Sequence, residues 1–113
     1  LSAYQNLAAL LRLQGRAEEA VELLRLAERK GTRNPYSYLS LGDLSMRFRR
    51  FDEAKRFYRR ALRLYRQDAE PYAAMGLWAL ASGDRRGAQR WLARAQKIDA
   101  INERVQRLAA KLG

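Results

Sequence analysis

The chain has 113 residues, 48% of them apolar, and its 23 Lys and Arg against 12 Asp and Glu give a net charge of +11. That length and apolar content suit one domain with a real core and exclude wholesale disorder. With neither Cys nor His, disulfides, thiol nucleophiles, most zinc sites and the usual near-neutral general base are excluded, and no apolar run reaches the ~18 residues of a membrane span.

Leu1 opens directly on a helical pattern, with no signal-peptide signature. The chain is therefore expected to be a piece of a longer protein; the compartment stays open, with the cytoplasm as the expectation. Apolar Leu1, Leu7, Leu10 and Leu11 mark a first helix, and Gly15 is placed to end it in a left-handed C-cap. "GRAEEA" then starts a second helix, with Glu18 and Glu19 complementing its dipole. Asn34–Pro35 reads as an N-cap followed by proline in the first turn.

Residues 47–66, "RFRRFDEAKRFYRRALRLYR", carry nine Arg or Lys and two acids. At helical spacing Ala54, Phe57, Tyr58, Ala61, Leu62 and Tyr65 fall on an inner side, and Lys55, Arg56, Arg59, Arg60, Arg63 and Arg66 on an outer one. Asp68 is a further N-cap with Pro71 in its first turn, and Gly83 with Asp84 repeats the C-cap and N-cap signal. In the closing "ERVQRLAAKLG", Val105, Leu108, Ala109 and Leu112 form one apolar stripe, with Arg104, Arg107 and Lys111 on the other side.

A period of 34 runs through these elements. Ala20, Ala54 and Ala88 share it, as do Ala27, Ala61 and Ala95; Tyr4, Tyr38 and Tyr72; Leu7, Leu41 and Met75; Ala8, Gly42 and Gly76; and Leu24, Tyr58 and Leu92. Two more columns, Leu10/Leu44/Trp78 and Leu23/Phe57/Trp91, are apolar throughout, so Trp78 and Trp91 are expected in packing and not on an open surface. The small columns let paired helices approach, and the bulky ones fill what remains. Enlarging Ala54 or Gly42 is expected to overpack the pair, at about 1–3 kcal/mol.

In these columns the sequence resembles the tetratricopeptide repeat (TPR) family, over residues 1–102. Six of the family's eight defining positions hold in type in every repeat. The Tyr expected at position 11 is Leu11, Ser45 and Ala79, and the Pro at position 32 is Thr32, Arg66 and Ala100. The resemblance implies an all-α, right-handed α-α superhelix of seven antiparallel helices. Its parts are repeats at 1–34, 35–68 and 69–102 and a capping helix at 103–113. The N-terminal face lacks such a cap, so another domain, another repeat or a second copy of the chain is expected to cover it.

The resemblance also implies a concave face lined by first helices. The residues it places there include Gln5, Asn6 and Arg12, then Tyr36, Leu39, Ser40, Asp43, Met46 and Arg47, then Glu70, Ala73, Ala74 and Leu77. A peptide or partner helix would suit that face; the plainer reading makes Asp43 and Arg47 an i,i+4 pair. The places of the family's chaperone-tail carboxylate clamp hold Gln5, Ala9, Ser40, Glu70 and Ala74, without a cation, so that ligand is not expected.

The reading is thus a non-enzymatic interaction or scaffolding module with a protein or peptide partner, no cofactor and no metal. Most acids, including Asp52, Glu53 and Asp84, stand at helix starts and not in a site. An alternative is a basic convex surface, Arg56, Arg59, Arg60, Arg63, Arg90, Arg94 and Lys97, for nucleic acid or another anionic partner. Exposed aromatic interleaving and a recognition motif are both missing, which disfavours nucleic acid. The stretch "RKGTRNPYSYLSLGDL" is also similar to repeats that follow bacterial transglutaminase-like domains, which would make the chain an accessory region of a multidomain bacterial enzyme.

Overall fold

A computed structural model describes Leu10, residues 15–31 and residues 34–113. The first helix of the first repeat, with Gln5, Asn6 and Arg12, lies outside the described residues, as does the question of what covers the N-terminal face. The described residues are helical, with no strand: α1 (Ala17–Lys30), α2 (Pro35–Arg47), α3 (Phe51–Leu64), α4 (Ala69–Ala81), α5 (Arg85–Asp99) and α6 (Glu103–Leu112).

The boundaries follow local chemistry. Asn34 accepts a hydrogen bond from the Tyr36 N–H at 2.9 Å, and Asp68 accepts one from the Glu70 N–H at 2.9 Å. Asp84 accepts from the Gly87 N–H at 2.8 Å, and Asn102 from the Val105 N–H at 3.1 Å. Asn34, Asp68 and Asn102 are 34 residues apart, so the capping signal continues into α6. Gly15 and Gly83 have φ of 71° and 89°, as a left-handed C-cap requires. At the equivalent place in the central unit, Arg49 adopts φ 60° without being glycine. The same bond closes both turns: the Arg50 N–H reaches the Ser45 carbonyl at 2.9 Å, and the Asp84 N–H reaches the Ala79 carbonyl at 2.8 Å.

These short turns fold α2 back on α3 and α4 on α5, the two most extensive helix contacts among the described residues. The first helices α2, α4 and α6 lie side by side in one layer, and α3 and α5 lie on the other. Leu41, Ala54, Phe57 and Ala61 are completely buried between layers, as are Ala88 and Ala95 in the next unit. The small columns thus serve close approach. At Gly42 a Cβ would overlap the Tyr58 ring, and at Gly76 it would overlap the tip of Leu108 from α6.

Trp78 and Trp91 are partly buried against the core, and the Trp78 indole N–H donates to the Phe51 carbonyl at 2.8 Å. The inner assignment fails at Tyr65, which is 43% exposed. It lies one residue past the end of α3, where the backbone has left helical geometry and the periodicity no longer aims its side chain. The outer side of α1 differs from that of α3: Arg25 bonds Glu22 at 2.7 Å and reaches across to Glu53 at 2.9 Å.

Candidate functional site

The layer of first helices carries a groove. A cavity of about 320 Å³ is lined by Asp43, Met46 and Arg47 of α2, Leu77 of α4, and Arg104, Arg107 and Lys111 of α6, with Tyr58 reaching in from α3. Tyr58 gets there because Gly42 leaves room for its ring, and its hydroxyl donates to the Asp43 carboxylate at 2.5 Å. Burial, then the Asp43 charge, pushes the Tyr58 pKa up, so the phenol stays a donor.

Arg104 is the hub. It makes a two-pronged ion pair with Asp43 at 2.8 and 2.9 Å, and its Nε donates to Glu70 at 2.7 Å. Burial alone would lower the Arg104 pKa; the Asp43 hydrogen bonds and the charges of Asp43 and Glu70 outweigh it and raise it. The other Glu70 oxygen accepts from the Asn102 amide at 2.9 Å. Both groove carboxylates are thereby engaged from α6. The Asp43–Arg47 pair considered from sequence does not form, because a guanidinium fork from 61 residues away holds Asp43 instead.

The groove residues expected from sequence divide into two groups. Ser40 and Arg47 are exposed, while Asp43, Glu70 and Leu77 are partly so. Tyr36, 52% exposed, donates its hydroxyl to Asp68 at 2.6 Å; that hydrogen bond, with the Asp68 charge, pushes its pKa up to about 12. Leu39, Ala73 and Ala74 are instead buried, at 3%, 0% and 0% exposure, where neighbouring helices cover them. They belong to the core and not to a groove floor.

Sequence reading placed Arg104, Arg107 and Lys111 only opposite an apolar stripe, and they are groove residues. The signal was present: carried past residue 102, the 34-residue period puts them in the columns of Glu70, Ala73 and Leu77. Arg47, Arg107 and Lys111 make no ion pair among the described residues, so the groove presents three uncompensated cations beside Met46 and Leu77.

The basic outer residues stand apart from this groove. Arg56, Arg59, Arg63, Arg90, Arg94 and Lys97 are exposed on α3 and α5. Arg60 is partly covered and lies over the Tyr38 ring at 5.8 Å. Among the described residues no group of acids could hold a metal ion.

Two family models, both described as tetratricopeptide repeat, match the chain, one over residues 35–68 and one over residues 1–27. A solved structure titled as the first TPR of Spaghetti (RPAP3) bound to the HSP90 peptide SRMEEVD is similar to it, with a TM-score of 0.72 at 17% identity, covering 97% of this chain and 87% of that one. No curated protein matches. The helix pairs, their 34-residue spacing and these matches agree: the chain belongs to the tetratricopeptide repeat family.

Proposed function

We propose that this chain is a protein-interaction module that holds a peptide or partner helix along the groove of α2, α4 and α6. The reading carries with it seven antiparallel helices in a right-handed superhelix: repeats at 1–34, 35–68 and 69–102, and a capping helix at 103–113. The observation that carries it is the groove itself. Among the described residues Arg47, Arg107 and Lys111 have no acidic partner around Met46 and Leu77, while Arg104 keeps the carboxylates of Asp43 and Glu70 from repelling an acidic ligand. Cations beside apolar contacts suit a segment that mixes acidic and apolar side chains. The peptide bound by the solved relative, SRMEEVD, has that character. No catalytic role is assigned to any residue.

The test is selection of random peptides from a displayed library on the wild-type protein, followed by affinity measurement on Leu77→Asp and Arg47→Glu. Arg47 is exposed and Leu77 is partly buried against the core of Ala79, Ala88 and Leu108, so folding of each variant is checked by circular dichroism before affinity is compared. Loss of about tenfold or more in affinity supports the groove. Selected peptides that bind both variants as tightly as wild type would place binding elsewhere.

A further inference from the structure

A second cleft opens on the outer layer. The backbones of α3 and α5 do not approach each other closely, and between their C-terminal halves lies a cavity of about 540 Å³. Its floor is apolar: Leu62 from α3, Tyr72 from α4 and Ile98 from α5. Its rim is Arg63, Arg66, Arg94 and Lys97, with no acid in the lining. None of these four cations makes an ion pair among the described residues. Arg25, an outer residue of α1 in the column of Arg59, is by contrast bonded to Glu22 and Glu53.

Mere solvation of a helix does not call for four converging cations over an apolar floor. Like charges gathered in one cleft repel each other, and an anionic occupant relieves that. Three arginines supply planar forks that match carboxylates two-pronged. The floor decides between classes of anion. A single-stranded nucleic acid needs free aromatic faces. Here the Tyr72 and Trp91 rings pack on one another, with centroids 6.1 Å apart, and the Arg94 guanidinium covers Trp91 at 5.3 Å. A membrane surface takes several apolar groups that protrude together; here Ile98 is exposed, but Leu62 and Tyr72 beside it are partly buried. Aliphatic side chains are what the apolar lining accepts.

We infer that the cleft between α3 and α5 is a second docking site, separate from the groove, for an acidic peptide segment whose carboxylates meet Arg63, Arg66, Arg94 and Lys97 while an aliphatic side chain enters between them. This site does not depend on the groove reading, and either can fail alone.

The probe is a fluorescein-labelled peptide of about 12 residues in which Glu pairs alternate with single Leu residues, measured by anisotropy at about 0.15 M salt. Comparators are the same peptide with Leu replaced by Ser, a deoxythymidine oligomer of equal charge, and phosphatidylserine vesicles. The Leu peptide is expected to bind at least about tenfold more tightly than the Ser peptide. Arg94→Glu with Lys97→Glu should remove that binding, and Ile98→Ser should reduce it severalfold without altering charge. Lys111→Glu, in the groove, should change it less than about twofold at that salt concentration. Equal binding of the Leu and Ser peptides overturns the proposal in favour of charge alone. So does tighter binding of the oligomer or vesicles, or loss with Lys111→Glu while the cleft variants bind normally. If the doubly reversed variant does not fold, as read by circular dichroism, Ile98→Ser decides alone: unchanged affinity overturns the proposal.

Discussion

The hairpins α2–α3 and α4–α5 occupy the same place in successive units, yet they are held differently. In α4–α5 local chemistry agrees with the turn: Gly83 takes the left-handed position and Asp84 caps α5 through the Gly87 N–H. In α2–α3 the left-handed position falls to Arg49, and Arg50, the N-cap of α3, makes no side-chain cap. What α2–α3 has instead is tight packing, with the Tyr58 ring set against Gly42 and its hydroxyl held by Asp43. A unit can thus lose two local signals and keep its form when its neighbours fix the geometry. The cost of each lost signal, of order 1 kcal/mol, is small beside a packed interface.

The comparison breaks most sharply at the glycines. Gly42→Ala forces a methyl group into an aromatic ring that Asp43 prevents from swinging away, and should destabilise the protein by about 2 kcal/mol, read from urea midpoints. Gly76→Ala meets the flexible Leu108 methyls and, less tightly, the Trp91 Cβ, and gains helix propensity, so its loss should be smaller, about 1 kcal/mol. Equal losses would mean that both positions are governed by backbone approach and not by the neighbouring side chain. A smaller effect runs the other way: Arg49→Gly should stabilise the chain by about 1 kcal/mol, bringing the first turn to the chemistry of the second. The smallest effect concerns how the hairpin is joined to α1. The hydrogen bond from Arg25 holds the Glu53 carboxyl below the usual carboxylate range. A depressed folded pKa contributes stability above the unfolded pKa of about 4.3, and loses it as pH falls through the folded value. Arg25→Ala should therefore lower the urea midpoint at neutral pH, and its difference from wild type should fade as the pH falls below the usual carboxylate range. A difference that persists in acid would assign the loss to packing of the Arg25 stem.

Much of this was legible in the residues. Asn34, Asp68, Gly83 and Asp84 announced their turns because capping is local, set by a side chain and backbone a few residues apart. Arg49 gave no signal, since nothing in an arginine indicates positive φ; only alignment with Gly15 and Gly83 marks the place. Leu39, Ala73 and Ala74 looked like groove residues because periodicity gives a face but not how far a neighbouring helix covers it. The Asp43–Arg104 pair spans 61 residues, beyond any window in which local spacing speaks. The outer cleft needed the gap between α3 and α5, a property of how two units sit together.

The hydrogen bonds between units have a further consequence. Tyr36 donates to Asp68, and Asn102 donates to Glu70, each across 32 residues, so the second residue of one first helix is fastened to the cap of the next. The donor and acceptor have exchanged sides between the two joints, but the connector is the same. Such a connector behaves like a screw thread. Whole turns can be added or taken away and the parts still engage, as for a unit of 34 residues whose cap is Asn or Asp. A single residue inserted between Tyr36 and Asp68 would put the thread out of register, stripping this link while leaving every helix intact on either side.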